Sequence, residues 1–188
     1  MTAPWQRSWL KSKDNPLIFV RDLLGATPEP WQTQALEAVG KHDRVSIRSG
    51  HGVGKTTLEA WLILWFLLTR QNCKVPVAAN SQDQLRDTIW PEIATWHRQL
   101  PDPLKAMIDV QAERVVVVHD PEGAFAVRRT APEALQGFHA EHLLFLIDEA
   151  SGIDDIVFEV GMGALSTPGA KVVMAGNPAP RQVARGNP

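Results

Sequence analysis

The sequence predicts an α/β fold, a mainly parallel central sheet covered by helices on both faces. Three observations carry that expectation. Apolar runs of strand length recur at RVSIRS, VPVAAN, LLFLID and KVVMAGNP, and helical segments separate them, which is the pattern of a buried parallel sheet. A Gly-rich loop, an acidic pair and a polar Gly-Asn-Pro turn then stand where three of those runs end. Ligands of open α/β sheets collect at the carboxyl ends of the strands, so these three signals belong together.

The elements follow in order. Prolines at Pro16, Pro28 and Pro30 punctuate the first forty residues, with short helices expected at Pro16–Leu24 and Pro30–Val39, the second opened by a proline in its first turn. Trp5, Trp9 and Trp31 alternate there with Arg7, Lys11, Lys13 and Arg21. That mixture could form a nucleic-acid platform, but a partly packed N-terminal arm is the preferred reading. Residues 1–40 are therefore taken as a helical arm and 41–188 as the core domain. The RVSIRS strand runs into SGHGVGKTT, and an apolar helix follows over Gly54–Arg70. VPVAAN is the next strand, and SQDQLRDTIWPEIATWHRQL is a helix kinked or broken near Pro91. RVVVVHD and GAFAVRRT flank Pro121-Glu122-Gly123 and read as a hairpin or a pair of edge strands. A short helix at Glu133–Gln136, the LLFLID strand, a helix at Asp154–Met162 and the KVVMAGNP strand complete the chain.

Bulk properties set limits. The 188 residues, 44% of them hydrophobic, suffice for one domain with a filled core and a short N-terminal appendage. A formal net charge of −2 gives no general attraction for polyanions, so any nucleic-acid contact needs a local basic patch. Cys73 is the one cysteine, which excludes a disulfide framework and a cysteine zinc site and fits a reducing compartment. The first residues lack a secretory apolar stretch. The most apolar run, Ala60 to Leu68, is half the length that crosses a bilayer, so no membrane partner is expected.

The chemistry begins at Ser49-Gly50-His51-Gly52-Val53-Gly54-Lys55-Thr56-Thr57. Between a strand and a helix, this is a phosphate loop with Ser49 in place of the first glycine of G-x-x-x-x-G-K-[ST]. Gly50, Gly52 and Gly54 let backbone N–H groups curl around phosphate oxygens, and the new helix directs its positive end at them. Lys55 supplies a point charge between the outer phosphates, and Thr56 a hydroxyl for Mg²⁺. Standing alone, the loop would also fit a Gly-rich turn before a surface helix.

Asp148 and Glu149 end the LLFLID strand. The aspartate can hold magnesium through its water shell. The glutamate, on the opposite side of the strand's alternation, can orient an attacking water. In Glu29-Pro30-Trp31-Gln32, the Gln32 amide carries a donor and an acceptor that suit the adenine edge, though a purely structural helix start fits equally well. Asn177, after the last strand, could touch the γ-phosphate or simply form a turn. His139 and His142 are three apart but have no supporting carboxylates at metal-ligand spacing. Trp61 and Trp65 in the apolar helix are expected in the core.

In combination, these segments resemble the ATPase domain of tailed-phage terminase large subunits, the motors that package viral DNA. PWQTQAL looks like the family's adenine-binding Q motif, SGHGVGKTT like its phosphate loop, and VPVAANSQDQL like the segment after the second strand. ALQGFHAEHLLFLIDEA is similar to the acidic motif with its leading loop, and VVMAGNP to the coupling motif. The resemblance implies a three-layer αβα P-loop NTPase with a short helical N-terminal arm, using ATP and Mg²⁺. It assigns phosphate binding to Lys55 and its loop (Gly50, His51, Gly52, Val53, Gly54, Thr56, Thr57), and the metal to Thr56 and Asp148. Glu149 is then the catalytic base, Gln32 the adenine reader and Asn177 the sensor. It also implies double-stranded DNA, a portal protein and a small terminase subunit as partners, a homo-oligomeric ring, and the cytoplasm of a bacterial host. A helicase-like translocating ATPase and a non-catalytic nucleotide-binding module are the alternatives.

Departures from the family pattern carry their own expectations. His51 occupies a place where many members have arginine, and Gln136-Gly137 stands where Arg-Gly is usual. Arg128 and Arg129, at the end of an expected strand, are then the candidates for a transition-state arginine offered to a neighbouring subunit. Their other reading is a solvated pair at a strand end. The chain stops at RQVARGNP soon after the coupling motif. A fragment or truncated product without lid or nuclease domain is the expectation, with no nuclease activity from this chain.

Overall fold

The structure, a computed structural model, describes residues 3–50, 52–79, 81–129, 138, 140–148, 163 and 169–176. Seven strands form one sheet: β1 (Arg44–Arg48), β2 (Cys73–Ala78), β3 (Ile108–Val110), β4 (Arg114–Val117), β5 (Phe125–Arg129), β6 (His142–Ile147) and β7 (Lys171–Gly176). Their order is β1-β7-β6-β2-β5-β4-β3. The five strands from β1 to β5 in that order pair in parallel, and β5-β4-β3 close the far edge as antiparallel pairs. Thus the expected parallel sheet is present. The expected hairpin is too, its turn held by the Gly123 N–H donating to Asp120 Oδ1 at 3.1 Å.

The helix α4 (Lys55–Thr69) is buried along its whole second part, from Leu58 through Leu68. A helix apolar on every face needs cover on every face. Strands of the sheet and helix α6 (Trp90–His97) supply part of it, and the N-terminal residues supply more. Trp65 donates its indole N–H to the Ser12 carbonyl and Trp9 donates to the Leu68 carbonyl, both at 2.7 Å.

Those bonds pack the N-terminal helices onto the core. Helix α1 (Pro4–Ser12), absent from the sequence-based expectation, helix α2 (Pro16–Ile18) with its π turn Phe19–Leu23, and helix α3 (Pro30–Lys41) pack onto the main core. Phe19, Val20, Leu36 and Val39 lie in the same apolar cluster as Trp65 and Val75. Trp5, Trp9 and Trp31 are partly buried against that cluster, so they pack rather than form a stacking platform.

The irregularity expected near Pro91 is a widened turn just before it. The helical run continues from α5 (Gln82–Gln84) through a π turn, Leu85–Ile89, into α6. The Trp90 N–H bonds to the Leu85 carbonyl in that wider turn, and the chain passes Pro91 without ending the helix. Helix α7 (Asp102–Lys105) and strand β3 are further elements that the sequence pattern does not announce. The helices expected at Glu133–Gln136 and Asp154–Met162 lie outside the described residues. Trp61 and Trp65 are in the core as expected. Cys73 is buried and free, and burial pushes its thiol up to about 12. No described helix is long and apolar enough to cross a membrane.

Candidate active site

The strands β1, β7 and β6 are neighbours and parallel, so the segments that follow them open side by side at one edge of the sheet. Two backbone bonds stitch that edge together. The Ser49 N–H donates to the Gly176 carbonyl at 3.2 Å, and the Asp148 N–H to the Ala78 carbonyl at 2.8 Å. The start of the Gly-rich loop is thereby tied to the end of β7, and Asp148 to the end of β2.

Within the loop, Gly52 and Gly54 have φ of +71° and +91°. Residues with a Cβ rarely adopt such values. At Gly54 there is a second reason: a Cβ would lie 2.9 Å from Gln32 Nε2. The loop then turns directly into α4, whose first N–H groups face it. Lys55 Nζ reaches back to the Ser49 and Gly50 carbonyls at 3.1 and 2.9 Å. Its positive charge is thus held over the concavity before any anion arrives. Val53 is exposed on the rim, and Thr56 is half-buried beside Lys55. This arrangement offers clustered backbone donors, a helix N-terminus and one ammonium to a phosphate group.

Asp148 is 6% exposed, and its Oδ2 accepts a hydrogen bond from Gln84 Nε2 at 3.0 Å. The Thr56 hydroxyl and the Asp148 carboxylate are the hard oxygen donors that the sequence assigns to a metal. Such donors suit magnesium, which keeps several waters and takes one or two protein ligands plus phosphate oxygens.

Other assigned residues stand differently. Gln32 is 4% exposed and committed to the loop. Its Oε1 accepts from the Glu29 N–H at 2.9 Å and its Nε2 donates to the Gly54 carbonyl at 3.0 Å. The amide thus braces the start of α3 against the end of the phosphate loop. Thr57 directs its hydroxyl away from the loop, donating to Glu92 Oε1 at 2.6 Å, so only its backbone can serve a phosphate.

Arg128 is neither solvated nor offered outward. It is 7% exposed, lies 5.3 Å from the Trp90 ring centroid and pairs with Glu113 at 3.4 Å. Strand alternation sends Arg129 to the opposite face. There its guanidinium stands 5.7 Å from the Phe138 ring centroid and donates to the Arg128 carbonyl at 2.9 Å. His51, Gln136, Glu149 and Asn177 lie outside the described residues, as does His139.

A cavity of about 610 Å³ lies at the opposite edge of the sheet, lined by Trp9, Lys13, Arg70, His119 and His142 among others. Neither the glycine loop nor the start of α4 borders it, so it is not the nucleotide site.

No family model matches the chain. A curated protein described as a probable terminase large subunit of Enterobacteria phage P7 is 28% identical over 186 residues, 95% of this chain and 36% of that protein. The chain therefore spans about a third of that relative's length. Among solved structures, a variant of the ATPase domain of the Thermus phage P74-26 large terminase superposes with a TM-score of 0.68 at 19% identity, over 90% of this chain and 72% of that one. The fold is that of a phage large-terminase ATPase domain. The large terminase of bacteriophage HK97 gives a TM-score of 0.67 at 14% identity, over 87% of this chain and 37% of that one. The large terminase of a thermophilic bacteriophage, solved in complex with ADP, gives 0.55 at 14% identity, over 90% and 38%.

Gln84 and Glu92 are the site neighbours that sequence reasoning passed over. Gln84 lies in the SQDQL stretch already likened to a terminase segment, which was the available signal. Its partner Asp148 is 64 positions away, beyond any local pattern.

One consequence separates the two roles open to Gln32. Replacing it with alanine should lower ATP and GTP affinity together, because the bond to Gly54 holds the loop for any triphosphate. Competition binding of the two nucleotides reads this directly. A loss confined to ATP would instead establish adenine recognition.

Proposed function

We propose that this chain is the ATPase motor domain of a DNA-packaging terminase large subunit, hydrolysing Mg·ATP to drive double-stranded DNA into a procapsid. The observation that carries the reading is the phosphate loop between β1 and α4, with Asp148 at the same sheet edge. The likeness to large terminases supports it independently. By the same resemblance the portal protein, a small terminase subunit and further copies in a ring are the partners, and the host cytoplasm is the setting.

In this reading the loop amides of Gly50 to Thr57 and the helix start bind the phosphates. Val53, exposed on the rim, contributes its backbone. Lys55 leaves its loop carbonyls to bridge the outer phosphates. Thr56 and Asp148 would hold Mg²⁺, which would neutralise part of the triphosphate's charge. Glu149 takes the proton of the attacking water, and Asn177 senses the γ-phosphate. Gln32 braces the loop for any triphosphate.

Charge that builds on the γ-phosphate calls for an arginine, worth roughly a thousandfold or more in rate. Arg129 is the better candidate, since Arg128 is enclosed by Trp90. Arg129 ends β5, two strands from the β6 that carries Asp148, and in this reading it would be offered to a neighbouring copy. ATPase activity per molecule should accordingly rise with protein concentration, and Arg129→Ala should flatten the rise without weakening ATP binding. Activity that is high and independent of concentration would remove the trans arginine. Absence of any DNA-stimulated turnover despite tight ATP binding would favour an inert nucleotide-binding module.

A further inference from the structure

The segment after β2 grips the candidate site at two points. Gln84 donates its side-chain amide to Asp148, and Glu92, two turns further along the same helical run, accepts from Thr57, the residue after Thr56. Gln84 itself is fastened in place. Its N–H donates to Ser81 Oγ at 3.1 Å, and its carbonyl accepts from Thr88 Oγ1 at 2.5 Å. The π turn Leu85–Ile89 begins at the next residue, and such widened turns concentrate at functional sites. Trp96 adds its indole N–H to Glu92 Oε1 at 2.9 Å, holding that acceptor toward α4.

The chemistry of the contact matters as much as its geometry. A neutral amide fixes the rotation of the carboxylate without bringing a charge of its own. Groups that orient a metal ligand from behind are worth a large share of the metal's affinity.

We propose that Gln84 is a positioning residue that holds the Asp148 carboxylate in the orientation required for the divalent cation. This rests on the reading of Asp148 as the metal-holding residue.

Gln84→Met keeps the side-chain length and helix propensity while removing the amide donor, and Gln84→Ala serves as a second variant. The measurement is Mn²⁺ affinity by electron paramagnetic resonance in the presence of ADP, alongside ADP affinity in EDTA. Both variants should bind Mn²⁺ about tenfold more weakly, at the low end of what removing an outer partner of a metal ligand does. Metal-free ADP affinity should not change, which a merely misfolded protein would not satisfy. In an Asp148→Ala background, Gln84→Met should have no further effect, the signature of two residues acting as one unit. Wild-type Mn²⁺ affinity in Gln84→Met, or an equal loss with and without Asp148, overturns the inference. If the wild-type chain shows no nucleotide-dependent Mn²⁺ binding at all, the assignment of Asp148 fails and the inference falls with it.

Discussion

Lys55→Ala will bind ATP at least tenfold more weakly than the wild-type chain while keeping its fold. The side chain leaves α4 at its first residue and is spent on two loop carbonyls, Ser49 and Gly50. Both carbonyls belong to the loop and not to the apolar core. Truncation removes the ammonium held over the loop concavity. A hydrogen bond to a charged group contributes about 1.5–3 kcal/mol net, which is roughly a 10- to 150-fold change in affinity. Equilibrium titration with a fluorescent ATP analogue measures it. Unchanged affinity would mean that the loop is a structural turn.

Glu149→Gln should retain ATP and stop hydrolysing it. The amide keeps the shape of the side chain but cannot accept the proton of the attacking water. A positioned general base is worth about a hundred- to ten-thousandfold in rate. Phosphate release under single-turnover conditions should fall within that range, with ATP affinity unaltered. Asp148→Ala should differ in kind, weakening the Mg²⁺ dependence of binding. Normal hydrolysis by both variants would reject the acidic-strand assignment.

Most of the sheet was legible because buried parallel strands are nearly continuous apolar runs, and RVSIRS, VPVAAN, LLFLID and KVVMAGNP each coincide with a strand to within two residues at either end. The glycine-rich turn before α4 was legible because glycines are demanded by backbone geometry, as φ at Gly52 and Gly54 shows. What escaped depended on distant partners. Helix α1 is short and mixed in character, and its place is secured by bonds to Leu68 and from Trp65. Arg128 carries a charge that composition assigns to solvent, and only the packing of Trp90 over β5 shows otherwise. The Gln32 amide is bifunctional, which suits an adenine edge. The same bifunctionality lets it bridge Glu29 and Gly54, and nothing local signals the second partner.

The site claim is tested most directly by following backbone amide resonances during a titration with Mg·ATP. The amides of Gly50, Gly52, Gly54, Lys55 and Thr56 should shift together and saturate below about 1 mM ligand, the upper range of ordinary substrate affinities. The resonances of Trp9, Arg70 and His142 around the opposite cavity should stay in place. Shifts gathered at that cavity with the loop unmoved, or no saturable shift at all, would contradict the account.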